Sequence, residues 1–278
     1  MHKKTLQKRL ANALVFCLLA VLAVSFLYPV YFMAINAFKT KAEYRATPFA
    51  LPSQLRLDNF NLLIGNFKIL DSYWNTLQIA LGSVALTITL AVFASYGFAK
   101  LPFKGRGAVY VAVVATMFIP AQVTMIPLYY LMSHLRVTNK LISVVLAYTA
   151  TSLPGSILLM TTGFRGISDE MIEAATIDGA GYFAVVKNVI LPMGVAVIAI
   201  NIIFNFLSAS NDLFTPMILL QKIDKRTIMV ALSAIMSSRS ADPAYQIAGL
   251  LLSALPSLAV YMLFNRFIVK GITVGSIK

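Results

Sequence analysis

The stretch EAATIDGAGYFAVVKNVILP, residues Glu173 to Pro192, lies between long apolar runs yet opens on a carboxylate and carries a second, Asp178, five residues later. The chain around it is 59% hydrophobic and only 12% charged, and its mean hydropathy is +0.81. Apolar runs longer than about 18 residues recur along it, which excludes a soluble globular domain and marks an integral membrane protein. A bilayer core of about 30 Å takes roughly 20 helical residues to cross, at a rise of about 1.5 Å each. Six segments reach that length, near 11–35, 74–98, 108–130, 141–163, 193–219 and 247–269. They are apolar on all sides, without the short alternating segments of a barrel. The expected fold is an all-α membrane protein, a single transmembrane domain over 1–278 with six transmembrane helices.

The first span has Lys3, Lys4, Lys8 and Arg9 ahead of it and a small-x-small triplet, Ala23-Val24-Ser25, inside it. Its apolar run continues past that triplet to Ile35, too far for a cleaved signal, so it reads as a retained anchor. Cys17 lies within it as the one cysteine, which excludes an internal disulfide. Cations are densest in residues 3–9 and in Lys100–Arg106, and sparser along the loop Lys39–Ser72. Short basic flanks stay inside, so both termini are expected in the cytoplasm. The net charge of +13 suits anionic lipid. Its cations are scattered among the connectors rather than gathered on one face, which argues against nucleic acid.

With this orientation the connector 165–192 is cytoplasmic. Ser168 is placed to cap a helix whose first turn holds Asp169 and Glu170, where negative charge suits the dipole. That helix should run to about Asp178 and break at Gly179. A second should run from Tyr182 to about Ile190 and stop at Pro192. The small Ala174 and Ala175 would let another surface approach the backbone, with Glu173 beside them to pair with a cation. The alternative is an amphipathic helix lying on lipid through Met171, Ile172 and Ile177. Four acids against Arg165 and Lys187 are the wrong sign for an anionic membrane and favour a protein partner.

In full, the stretch resembles the EAA loop of the membrane subunits of bacterial binding-protein-dependent ABC importers: Glu-Ala-Ala, three residues, Gly, nine residues, Ile, one residue, Leu-Pro. Glu173, Ala174, Ala175, Gly179, Leu191 and Pro192 match, and Val189 stands for the Ile. SYGFAKLPFKGR (Ser95–Arg106), IPLYY (Ile126–Tyr130), ATIDGA (Ala175–Ala180) and NRFIVKGITVGSIK (Asn265–Lys278) are similar to the carbohydrate-uptake branch, above all the smaller permease of the maltose type. The chain departs from that pattern at Ile167-Ser168, commonly Ile-Pro, and at Ser210-Asn211-Asp212, where Trp-Asn often precedes the acid.

The resemblance implies a non-catalytic permease of the inner membrane that forms half of a sugar path. Its partners would be a second permease in a heterodimer, two copies of a cytoplasmic ATPase and an extracytoplasmic solute-binding protein. Glu173, Ala174, Ala175, Asp178, Gly179, Leu191 and Pro192 would form the element gripped by the ATPase. ATP and Mg would bind the ATPase alone, since this chain has no G-x-x-x-x-G-K-[ST] loop and its Gly-Ala-Gly at 179–181 is no dinucleotide fingerprint. No cofactor, metal site or catalytic residue is expected in this chain, and His134 sits apart from any second metal ligand.

Span five carries Asn201, Asn205, Ser208 and Asp212 at steps of four, three and four, on one helical face, with Asn211 adjacent. Amides are costly in lipid and should face the bundle interior. Two readings stay open for Asn201, Asn205, Ser208 and Asn211: hydrogen bonding to sugar hydroxyls along a path, or glue between helices. Two other function classes also stand beside the importer. An ion-driven secondary transporter would use a charged group in the middle of a span, and none is present. A subunit importing a non-sugar solute would carry a similar loop. The loop Lys39–Ser72, with Pro48 and Pro52, reads either as a structured external module touching a binding protein or as a plain surface loop.

Overall fold

The computed structural model describes residues 2–237 and 242–275, and every regular element among them is helical. Packing gathers into two units, Met1–Phe67 with Ala234–Ala254, and Lys68–Ser233 with Leu255–Lys278.

In the first unit, helix α1 (His2–Asn36) contains Pro29. Within Asn12–Asn36 burial begins only at Ile35 and Asn36, where the helix ends, and the most apolar stretch has no buried residue. That exposure includes Cys17, as lipid-facing surface requires. The segment after it is a folded module rather than a plain loop, built from α2 (Lys41–Ala46) and α3 (Asp58–Phe67). Three buried polar side chains hold its turns. Asn36 Nδ2 donates to the carbonyls of Phe32 and Pro48, both at 2.9 Å. Lys39 Nζ reaches those of Thr47 at 2.7 Å and Ala50 at 2.6 Å. Asn59 Nδ2 donates to Ala37 at 2.8 Å and Lys39 at 2.9 Å. Buried turn carbonyls need donors, and these side chains supply them. The Phe32 ring, one turn from the end of α1, meets Phe49 at 5.9 Å and Tyr44 at 6.5 Å.

The second unit is organised by α4 (Ile69–Lys100), followed by α5 (Arg106–Ala115), α6 (Ala121–His134) and α7 (Leu141–Arg165). A connector of α8 (Asp169–Ile177), α9 (Tyr182–Val185) and α10 (Leu191–Met193) leads into α11 (Val195–Asn211) and α12 (Phe214–Leu219). The chain continues through α13 (Ile228–Met236) to α14 (Pro243–Gly275). Helices α4, α7 and α11 pack on one another. One buried cluster, including Tyr96, Phe98, Met160 and Phe164, fills one region, and a second, with Ile79, Tyr148 and Phe206, fills another.

Among the described residues, four helices are long and apolar enough to cross a bilayer, and two bent pairs make six if each counts as one span. Of the expected spans, 108–130 is therefore bent, and 193–219 is offset from the second bent pair, which runs from Tyr182 to Asn211. The first bends by 100° between Phe118 and Ala121, because Pro120 drives Ile119 into extended backbone at φ −80°, ψ 116°. The second is interrupted at Asp212, whose carboxylate accepts the N–H groups of Phe214 at 3.0 Å and Thr215 at 3.3 Å and so starts α12 afresh. Of the C-terminal stretch similar to sugar permeases, residues 276–278 lie outside the described residues.

Candidate functional site

The connector 165–192 folds as a helix, a tight turn and a second helix. At its start Ser168 occupies the N-cap position in extended backbone at φ −62°, ψ 136°. Its hydroxyl does not accept from the helix; it donates to the Glu170 carboxylate and holds that carboxyl below the usual range. At the end of α8, the Ala180 N–H donates to the Ala175 carbonyl at 2.9 Å and the Gly179 N–H to that of Thr176 at 3.0 Å. These two bonds form a Schellman cap, which places Gly179 in left-handed backbone. Its φ is +85°, a conformation that costs other residues about 1 kcal/mol or more.

The second helix differs from the sequence expectation. It does not stop at Pro192 but runs on to Met193, because residues Val186–Ile190 open into a π turn. The Leu191 N–H then bonds Val186 rather than the nearer carbonyl, and the wider turn accommodates the proline ring. The chain breaks instead at Gly194, where the helices on either side meet at 82°. There a Cβ would lie 2.5 Å from Cε1 of Phe164 and 2.7 Å from the Ile190 carbonyl oxygen. Phe164 is fully buried.

The two faces of this element differ. Ile172, Ala175 and Ala180 pack inward on the buried cluster with Val185, Val186, Val189 and Ile190. Ala175 thus serves the chain's own packing, whereas Glu173, Ala174, Asp178 and Gly179 are exposed, as are Leu191 and Pro192 at the far end. Ile177 at 85% and Phe183 at 73% exposure add apolar surface beside the acids.

Residues that the sequence did not single out hold the element in place. The Lys100 side chain, 7% exposed, pairs with Asp169 at 2.7 Å. It also donates to the carbonyls of Ile167 and Arg165, the latter at 3.4 Å. Tyr182 donates its hydroxyl to the Phe93 carbonyl at 2.7 Å, and its ring lies 5.0 Å from Tyr96 and 6.0 Å from Phe93. Arg165 stacks over Tyr110 at 5.5 Å. The sequence signal for these was slight: a cation at the end of an apolar run, and an aromatic opening the second loop helix.

The polar face of α11 divides along its length. Asn201 is buried and back-bonds to the Val197 carbonyl at 2.9 Å. Asn205 donates to Ser156 Oγ of α7 at 3.0 Å and to the Asn201 carbonyl at 2.8 Å. Ser208 and Asn211 are exposed, the latter bonded to Leu207. The arrangement brings Asn205 into a helix–helix bond and leaves the Ser208 end of the same face open. Asp212 is paired, accepting from the Tyr148 hydroxyl at 3.1 Å. Among the described residues no His, Cys, Asp or Glu cluster has a metal-binding arrangement.

Residues 87–274 match the family described as binding-protein-dependent transport system inner membrane component. The osmoprotective compounds uptake permease protein GgtD of Synechocystis is 31% identical over 227 residues, 81% of this chain and 76% of that one. The diacetylchitobiose uptake system permease protein NgcG of Streptomyces coelicolor is 27% identical over 263 residues, 94% of this chain and 87% of that one. A bacterial ABC transporter that imports the acidic polysaccharide alginate has a chain with the same fold. It superposes with a TM-score of 0.78 at 22% identity, covering 93% of this chain and 96% of that one.

Proposed function

Because the chain belongs to the family of binding-protein-dependent transport system inner membrane components, we propose that it is the permease subunit of an ATP-driven importer of a sugar or oligosaccharide. It forms half of the path, pairs with a second, different permease, and receives solute from an extracytoplasmic binding protein. Two copies of a cytoplasmic ATPase bind ATP and Mg and hydrolyse the nucleotide; this chain catalyses nothing. Both termini and the connector 165–192 face the cytoplasm, in keeping with the dense cations of residues 3–9 and Lys100–Arg106.

The observation that carries this reading is the two-faced connector. One side, with Ile172, Ala175 and Ala180, is packed into the bundle. The other presents Glu173, Ala174, Asp178, Ile177 and Phe183 to solvent. Exposed apolar side chains on an element whose acids outnumber its cations fit a protein cleft with a basic rim better than anionic lipid. A rigid helical element is also what alternating access needs, since a domain movement at one end must cross the bilayer. On this reading Glu173 enters the ATPase cleft, Gly179 sets the angle between the two helices, and Leu191 and Pro192 join the element to α11. Of the polar face of α11, the exposed Ser208 and Asn211 meet solute on this reading, while Asn201 and Asn205 hold that face in place by bonds within the bundle.

The test is ATPase activity of the assembled importer in liposomes, with its binding protein loaded in turn with oligosaccharides, monosaccharides and non-sugar osmolytes. Stimulation by a loaded sugar-binding protein, lost in Glu173→Lys while the complex stays assembled, is the expected result. Uptake driven by an ion gradient without ATP would overturn the importer reading, and stimulation by non-sugar solutes alone would overturn the sugar assignment.

A further inference from the structure

Covalently, the connector joins α7 to α11, yet its strongest side-chain ties go to neither. We propose that α4 is the strut that receives the connector's displacement and carries it across the membrane to the segment Lys222–Ile228, with Lys100 and Tyr182 as the positioning residues of the inner attachment. This rests on the coupling reading above.

The inner attachment has two points. An ammonium has three donors, and Lys100 spends them on the Arg165 carbonyl, the Ile167 carbonyl and the Asp169 carboxylate. The first belongs to the last residue of α7, where carbonyls lack helical partners and the dipole favours a cation, and the second to the turn just past its C-cap Gly166. The third is the first residue of α8. One nearly buried charge therefore ties the end of α4 to the end of α7 and the start of α8. The second point is Tyr182, which opens α9 and bonds the Phe93 carbonyl. Phe93 and Lys100 are about two helical turns, or roughly 10 Å, apart along α4. A single attachment would let the connector swivel; two separated ones on a rigid helix oppose rotation. Tyr96 and Phe98, between the two points, belong to the cluster on which Ile172, Ala175 and Ala180 pack.

At its opposite end α4 is held just as specifically. Asn75 Nδ2 donates to the carbonyls of Asp224 at 2.9 Å and Arg226 at 3.1 Å. Thr76 Oγ1 accepts the Ile228 N–H at 2.9 Å. The 32 residues of α4 span about 48 Å, more than a bilayer core. The same helix thus grips the connector on one side and a turn-rich segment on the other. A two-ended strut of this kind gives a physical route by which ATPase closure would move the outward surface that meets a binding protein.

The experiment is the ratio of binding-protein-stimulated to basal ATPase activity in the assembled importer, for Lys100→Met, Lys100→Arg, Tyr182→Phe and Asn75→Ala, with Glu173→Lys as reference. The ratio is expected to fall about tenfold in Lys100→Met, within the usual range of coupling between sites. Lys100→Arg should restore most of it by keeping the charge and its donors. Tyr182→Phe, which removes one hydroxyl, and Asn75→Ala, which lies far from the ATPase, should each lower it as well. Tyr182→Phe keeps the test available if Lys100→Met fails to assemble. A ratio lost in Glu173→Lys but intact in Lys100→Met, Tyr182→Phe and Asn75→Ala overturns the role of α4 and leaves the coupling reading standing. A ratio intact in Glu173→Lys overturns both.

Discussion

Replacing Gly194 with alanine is the sharpest test of how the connector joins the bundle. The added Cβ would sit 2.5 Å from Cε1 of Phe164 and 2.7 Å from the Ile190 carbonyl oxygen, both well inside van der Waals contact. Phe164 has 0% exposure, so its ring has no solvent to swing into. The carbonyl is backbone and already accepts the Gly194 N–H at 2.7 Å. Overpacking of this kind costs about 1–3 kcal/mol, and two simultaneous clashes put Gly194→Ala near the upper end. At roughly 2–4 °C per kcal/mol for a chain of this size, the apparent midpoint should fall by about 5–10 °C. The assay is the fraction of protein that remains monodisperse in detergent after heating, read at one fixed heating time because such unfolding is commonly irreversible. Gly181→Ala is the control, since Gly181 has φ −76° and a Cβ added there would meet nothing within 4 Å. Adding Phe164→Leu to Gly194→Ala should cost less than the sum of the two changes, because the smaller side chain relieves one clash. A Gly194→Ala midpoint equal to that of wild type would refute the close approach and with it the reason the break falls at residue 194.

Three further outcomes follow from particular contacts. Gly179→Ala should cost about 1 kcal/mol through its left-handed φ of +85°, measured as a lower midpoint in the same heating assay, while the Gly181→Ala control stays unchanged. In a double-mutant cycle, Asn205→Ala and Ser156→Ala should show a coupling of about 0.6 kcal/mol if their 3.0 Å bond is helix glue; a coupling of zero, with solute uptake abolished in Asn205→Ala, would favour the path. In the module after α1, the Glu43 carboxylate accepts the Ser53 N–H at 2.6 Å, and that bond holds its pKa below the usual carboxylate value. Its stabilising contribution is therefore present above the ordinary value of about 4.3 and lost as pH falls through the depressed one. The protection factor of the Ser53 amide, the intrinsic exchange rate divided by the observed rate at the same pH, should fall in acid, and Glu43→Gln should remove that change in protection.

Much of this architecture was legible in the residues. Long apolar runs located the membrane helices because a bilayer rewards about 20 consecutive apolar residues whatever surrounds them. The connector was legible for a local reason as well: Asp169, Glu170 and Gly179 are end signals whose effect depends on near neighbours, while Ser168 marks the N-cap position although its hydroxyl bonds Glu170 rather than the helix. Proline was the less reliable guide. Pro120 breaks its span with a 100° bend, whereas Pro192 is carried inside a helix by a π turn and Pro154 lies within α7. The outcome depends on whether neighbouring backbone can open or repack around the ring, which the dipeptide alone does not specify. The loop Lys39–Ser72 admits two readings in sequence for a similar reason. Its fold rests on Lys39 and Asn59 reaching carbonyls that are distant in sequence.

By itself, then, the sequence determined the solvent, the helical class, the polar connector and the positions where its helices begin and turn. All of these follow from composition, periodicity and interactions within a few residues. Only the tertiary structure decided which helix the connector grips. Lys100 and Asp169 are far apart in the chain, and nothing local distinguishes a lysine that ends one helix in water from one buried against the ends of two others. Ala175 and Glu173 were equal partners in one motif until packing turned the first inward and the second outward. The physical reason is that burial and salt-bridge geometry belong to surfaces, and a surface exists only once separate helices have met.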